Sequence, residues 1–140
     1  MTRTKLINGG RHQDERGKLI FNNEFDATRV KRLYCIENKS TKKARAWQGH
    51  QIESRWFAVA HGKFEIKIIQ VDDWQKPDPH LPQEVYEIND ARLDILHVPS
   101  GYITSIKSLY NQSKLIVMAD YHLGEIEDNY KFPNDYFKEN

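Results

Sequence analysis

Arg55-Trp56-Phe57-Ala58-Val59-Ala60-His61-Gly62-Lys63-Phe64-Glu65-Ile66-Lys67-Ile68-Ile69 is the stretch that decides the fold. In its second half Phe64, Ile66 and Ile68 alternate with Glu65 and Lys67, the period of a pleated strand with one apolar and one polar face. The first half is an equally strand-like run, and the glycine between them can take positive φ without a Cβ penalty. A tight β-hairpin turning at His61-Gly62 is therefore predicted.

Outward from this hairpin, short runs rich in β-branched and aromatic residues recur at even spacing, separated by turn formers, from Lys18 to Tyr121. Strands are predicted at 19–23, 30–36, 44–51, 85–88, 93–98, 102–107 and 114–121, and helix is scarce. The pattern is that of an all-β sandwich or barrel. Residues 72–82 contain Pro77, Pro79 and Pro82, which cannot donate to a ladder, so this segment is a long surface loop that could edge a binding mouth. The tail from 125 to 140 carries Tyr130, Phe132, Tyr136 and Phe137 among charges. Those rings argue that it docks on the barrel or on a partner, with one helical turn after Pro133.

A chain of 140 residues suits one domain spanning 1–140, large enough to enclose a core without disulfide or structural metal. Lysine and arginine number 21 against 20 aspartates and glutamates, so the global basic field of a non-specific nucleic-acid binder is absent. The densest cationic run, Lys39, Lys42, Lys43 and Arg45, suits a solvated loop as well as an anionic ligand. Cys35 is the single cysteine and forms no intrachain disulfide. Within the apolar run Leu33-Tyr34-Cys35-Ile36 it reads as a buried, inert thiol, which fits a reducing, cytoplasmic compartment. The first ten residues lack the apolar core of a signal peptide, and nothing approaches the ~20 apolar residues of a membrane span.

Several short segments, taken in order, carry a resemblance. Asp14-Glu15-Arg16-Gly17 is similar to an Asp-x-Arg-Gly turn, Val30 to Ile36 to a strand that is basic and then aromatic, and Arg45-Ala46-Trp47-Gln48-Gly49-His50-Gln51 to an Arg-Gly-x-His-Ala-His-Lys segment. Gly62, Val71-Asp72-Asp73, Val98-Pro99-Ser100-Gly101-Tyr102 and Ala119-Asp120-Tyr121 follow in the same order. Together they resemble the sugar 3,4-ketoisomerases of the FdtA/WxcM-like type, relatives of the dTDP-4-dehydrorhamnose 3,5-epimerases among the RmlC-like cupins. The resemblance implies a cupin-type double-stranded β-helix, or jelly-roll, barrel. It also implies a dTDP-linked 4-keto-6-deoxy sugar as substrate, a homodimer, and a place in deoxysugar and surface polysaccharide biosynthesis.

Two departures bear on the reaction. Gln48 stands where the resembling segment has its first histidine, which is the base in the 3,5-epimerases, and the late strand from Lys114 to Asp120 lacks the tyrosine that serves them as acid. Both point away from standard epimerase chemistry and towards ketoisomerase-like chemistry resting on His50. Metal-binding cupins gather several ligands, whereas here Gln48-Gly49-His50 supplies one, and Thr104 stands where the second motif places a histidine. Glu53, three residues after His50, would face the opposite side of a continuous strand. No metal and no cofactor are therefore expected. His12, His61, His80 and His122 fall outside the strands that would carry a site, and His97 reads as a strand-end or satisfied core histidine.

Enolising a sugar next to a ketone needs a base within reach of the carbon acid and a group for the enolate oxygen. His50, neutral near physiological pH, is the candidate base, and Tyr34 the candidate relay between hydroxyl oxygens. Gln48 shares a strand face with His50 and can hydrogen-bond a sugar hydroxyl or the enolate. Arg16 and Arg45 are the candidate diphosphate ligands, ahead of Arg32 and Arg55, because guanidinium grips phosphate bidentately. Trp47, Trp56 or Trp74 could shelve the base, although strand aromatics more often pack in cores. The alternative readings are a catalytically degraded cupin that binds a sugar or nucleotide sugar without turnover, and, more remotely, a lipocalin-like carrier of apolar ligands.

Overall fold

In a computed structural model, which describes residues 3–139, the chain is all-β. Met1, Thr2 and Asn140, the outer ends of the N-terminal stretch and of the aromatic tail, lie outside the described residues. Among the described residues twelve strands run in chain order: β1 Lys5–Ile7, β2 Gly10–Asp14, β3 Gly17–Phe21, β4 Arg32–Ile36, β5 Arg45–His50, β6 Arg55–His61, β7 Lys63–Gln70, β8 Glu84–Asn89, β9 Ile95–Val98, β10 Tyr102–Ser108, β11 Lys114–Ala119 and β12 Tyr130–Lys131. The predicted strands agree to within two residues at most ends. β1, β2 and β12 had no counterpart in the sequence reading, and among the described residues no helix is long and apolar enough to cross a membrane.

Two five-stranded antiparallel sheets face each other, ordered β1-β9-β6-β11-β4 and β12-β5-β10-β7-β8. β2 and β3 form a separate hairpin. The decisive stretch does not make one flat ladder: β6 lies in the first sheet and β7 in the second, so the chain changes sheets at Gly62. That residue has φ +85°, and its N–H donates to the Asp90 carboxylate at 2.9 Å. The alternation then fills the space between the sheets. Phe64, Ile66 and Ile68 from β7 meet Phe57 and Val59 from β6, Leu96 and Val98 from β9, and Leu115 and Val117 from β11. Glu65 and Lys67 point to the outer face, where each is partly exposed.

The outer faces are covered unequally. On the second sheet Trp47, Ile69 and Ile103 are capped by Phe132, Tyr136 and Phe137 of the tail. The tail joins by backbone as well: Trp47 and Phe132 exchange N–H···O bonds at 3.1 and 3.0 Å, and Lys138 N–H donates to Pro79 O at 2.7 Å. The aromatic tail therefore docks on the barrel. Past Pro133 it makes one hydrogen-bonded turn, Tyr136 N–H to Pro133 O, in place of the expected helical turn. The proline loop holds this tail, with Tyr136 Oη donating to Pro77 O at 2.5 Å, and lines no part of the cavity described below.

Cys35 corrects a second expectation, since it is exposed. β4 is the border strand of its sheet, and its alternation sends Arg32, Tyr34 and Ile36 inward while Leu33 and Cys35 face out. Apolar character in this run belongs to both faces, so it could not say which face was buried.

Candidate active site

Between the sheets, on the side of β4 and β5, a cavity of about 210 Å³ opens to solvent. Strand alternation brings its lining together. β4 contributes Arg32, Tyr34 and Ile36, β5 contributes Arg45, Gln48 and His50, β6 contributes Arg55 and Phe57, and β10 contributes Tyr102, Thr104 and Ile106. A second lobe continues past Gln48 and His50 to the segment after β11, where His122, Leu123 and Ile126 form the wall. Four of the five predicted site residues thus meet in one cavity: Tyr34, Arg45, Gln48 and His50. The fifth, Arg16, does not join them. It sits at the tip of the β2–β3 hairpin with its side chain 83% exposed and paired to Asp14 at 2.8 Å.

His50 is fixed by a residue far along the chain. Its Nδ1 lies 2.7 Å from the backbone oxygen of Asp128. A carbonyl oxygen only accepts, so Nδ1 carries the hydrogen and the lone pair of the neutral ring is on Nε2. Burial, and then the positive charge of Arg55, push the imidazole down to about 4. His50 is therefore an uncharged base throughout the neutral range.

The turn that follows His50 is organised by the same residue. The Asp128 carboxylate accepts the backbone N–H groups of Gln51 at 2.9 Å, Ile52 at 2.9 Å and Glu53 at 2.8 Å. Strand geometry ends at His50, and this cap swings Glu53 back towards it. The ligand atoms of His50, Glu53 and Asp128 consequently lie within 4.8 Å of one another, which overturns the expectation that His50 and Glu53 diverge. Their charges already have partners: both Asp128 oxygens take backbone N–H groups, and Glu53 Oε1 lies 2.8 Å from Arg55 Nε. The Glu53–Arg55 contact is misaligned as a hydrogen bond and acts as a buried ion pair. Burial raises the Glu53 carboxyl above the ordinary carboxylate range, with Arg55 opposing it.

Arg55 is the residue that the sequence most undervalued. It is 9% exposed, and its Nη1 donates to the Tyr34 hydroxyl. Because that hydroxyl accepts from Arg55, its own hydrogen is free for another acceptor. The Arg32 guanidinium lies 4.7 Å from the Tyr34 ring centroid. Gln48, which lines the cavity, donates from its amide to Asn129 Oδ1 at 2.6 Å, and its side-chain oxygen accepts no hydrogen bond among the described residues. Three guanidinium groups against one carboxylate give the lining an anion-attracting character. The tryptophans are elsewhere. Trp47 packs under the tail, Trp56 stacks on His97 with centroids 4.8 Å apart, and Trp74 packs on Tyr130. His97 sits at the end of β9, one of the two placements expected, but it is not satisfied, since its Nε2 is buried without a hydrogen-bond partner among the described residues.

Neither a protein-family model nor a curated protein sequence matches the chain. Solved structures do. A mutant of the 3,4-ketoisomerase QdtA from Thermoanaerobacterium thermosaccharolyticum, in complex with TDP-4-keto-6-deoxyglucose, superposes with TM-score 0.72 at 17% identity, covering 97% of this chain and 92% of that one. The TDP-quinovose 3,4-ketoisomerase WlaRB from Campylobacter jejuni gives 0.69 at 18% identity, covering 97% and 98%. The RmlC epimerase of Mycobacterium tuberculosis gives 0.74 at 12% identity, covering 91% and 68%. Two facing antiparallel sheets, a cavity between them and these superpositions together show that the chain has the RmlC-like cupin fold, a jelly roll.

Proposed function

We propose that the protein is a metal-independent isomerase or epimerase of a nucleotide-linked 4-keto-6-deoxy sugar, with dTDP as the nucleotide. The observation that carries this reading is the free Nε2 lone pair of His50 in a half-buried, arginine-lined cavity of a fold shared with dTDP-sugar ketoisomerases. His50 removes the proton from the carbon beside the ketone and returns it to a neighbouring carbon. Tyr34, whose hydroxyl hydrogen is free, passes a proton between the adjacent sugar oxygens. Gln48 offers its carbonyl oxygen to a sugar hydroxyl, and Arg45 and Arg32 suit the diphosphate. No metal is needed for this scheme, and the donors nearest His50 are met by N–H groups and Arg55.

The same reading places the enzyme in the cytoplasm, in deoxysugar biosynthesis for surface polysaccharide, as a single-domain protein that forms a homodimer. Leu33, 66% exposed, and the exposed Cys35 on the free border of β4 support a partner on that edge. Light scattering coupled to size exclusion reads the oligomeric state.

Incubation with dTDP-4-keto-6-deoxyglucose in deuterated water tests the chemistry. A new 3-keto sugar carrying deuterium at C4 should appear, with deuterium at C3 of the recovered substrate, and both labels should be lost in a folded His50→Asn variant and survive chelator treatment. Saturable binding of the nucleotide sugar with no exchange at any position would identify a binding protein instead.

A further inference from the structure

We propose that Arg55 is the group that receives the enolate oxygen, with Glu53 as the positioning residue that holds its guanidinium. The proposal rests on the reading of the cavity as an enolising site and assigns the one role that this reading leaves vacant. His50 supplies the base and Tyr34 the relay, yet the negative charge that forms on the carbonyl oxygen needs a fixed partner.

The Gln48 amide group donates to Asn129, and Arg45 is exposed on the rim of the cavity, where a diphosphate would lie. Arg32 and Arg55 both lie over the Tyr34 ring, 4.7 and 5.7 Å from its centroid, but only Arg55 is also held by a carboxylate and a hydroxyl. Arg55 is buried deeper and lines both lobes of the cavity on either side of His50. It is held at two points, by the ion pair of Nε with Glu53 at 2.8 Å and by the hydrogen bond from Nη1 to the Tyr34 hydroxyl, and its other terminal N–H groups have no hydrogen bond among the described residues. A donor held on two sides with free N–H groups is preorganised for charge that appears only during reaction. Its nearness to the base is felt electrostatically, since Arg55 is the largest charge acting against protonation of His50.

The step balances within the substrate. The C3–H bond breaks, its proton goes to His50 Nε2, and its electron pair becomes the C3–C4 double bond. The carbonyl π pair moves onto O4, where the Arg55 N–H groups meet it. Tyr34 gives its proton to O4 and takes the proton of the O3 hydroxyl, and the pair left on O3 forms the new carbonyl as His50 returns its proton to C4. Arg55 transfers no proton, as a guanidinium should not.

Arg55→Gln, Arg55→Lys, Glu53→Gln and the double change Glu53→Gln with Arg55→Gln test the assignment in the full chain, the double change guarding against an unpaired buried carboxylate. Arg55→Gln and the double variant should each lower kcat about 10²- to 10³-fold, the usual loss for an oxyanion donor, while KM and the Kd for dTDP stay within about threefold. Arg55→Lys should recover about tenfold of that loss, and Glu53→Gln should lower kcat more than it raises KM. The His50 titration, followed by NMR, should move upwards once the Arg55 charge is gone. A folded double variant with kcat within threefold of the parent, or a loss confined to KM and dTDP affinity, overturns the assignment and makes Arg55 a nucleotide anchor. A parent protein that binds dTDP yet exchanges no substrate proton sinks the enzymatic reading itself, and this assignment with it.

Discussion

His50 Nδ1 donates to the backbone oxygen of Asp128 across 2.7 Å, joining the end of β5 to a segment 78 residues later. The bond selects the tautomer, and burial with the nearby Arg55 charge keeps the ring neutral down to about pH 4. Under the proposed function the catalytically useful form is the unprotonated one, so a lowered pKa extends activity towards acid. We expect kcat/KM to stay level from neutral pH to about 5 and to halve near 4, with the His50 Cε1 proton titrating over the same range. An acid limb centred on the ordinary histidine value of about 6.5 would contradict the geometry. The linkage to stability has a defined sign: between about pH 6.5 and 4 the unfolded chain gains a proton that the folded one refuses, so His50 contributes a loss of stability as pH falls through that window.

Asp128 makes a separate prediction because its side chain holds the turn. Replacing it by alanine leaves the N–H groups of Gln51, Ile52 and Glu53 without their acceptor. Hydrogen bonds to a charged group contribute ~1.5–3 kcal/mol each and overlap when they share one carboxylate, so Asp128→Ala should cost about 3 kcal/mol in chemical denaturation. Activity under the proposed function should fall through kcat, since the displaced parts are His50, its proposed base, and Glu53. A variant as stable as the parent would show that the cap contributes nothing.

These two residues also mark where sequence reading stops. The alternation of Phe64, Ile66 and Ile68 announces its own strand, and Gln48 and His50 share a face by simple spacing, so both were legible locally. The Glu53–His50 approach was not, because it depends on a carboxylate 75 residues beyond Glu53 that bends the chain where a straight strand was assumed. Arg16 misled for the opposite reason. Its segment looks familiar, but the side chain is satisfied by Asp14 at the tip of an outlying hairpin. β2 went unread since Gly10–Asp14 is polar and exposed through its middle, and its place is set by pairing with β3.

Gly62 connects the sheets and tolerates no side chain. A Cβ there would lie 2.1 Å from Ser113 Oγ and 2.7 Å from Ser113 Cβ, on a backbone with φ +85°. Left-handed strain and overpacking each cost on the order of 1–3 kcal/mol, so Gly62→Ala should lower stability by at least ~2 kcal/mol. Thermal unfolding should show a drop of several degrees, and an unchanged Tm would mean that the turn relaxes freely.

Arg45 and Arg55 both line the cavity, yet depth separates their effects. Arg45 is exposed on the rim, and under the proposed function its target is a diphosphate that carries the same charge in ground and transition states. An interaction equal in both states sets KM and leaves kcat alone. Arg45→Ala should therefore raise KM about tenfold, the scale of one partly solvated charge-assisted contact, with kcat within about twofold of the parent. Because the contact is exposed, its contribution should also shrink with salt: the KM difference between parent and variant should narrow from 20 mM to 500 mM sodium chloride, as screening shortens the reach of the guanidinium. A fall in kcat instead would place Arg45 at the reacting carbon and move the diphosphate to Arg32.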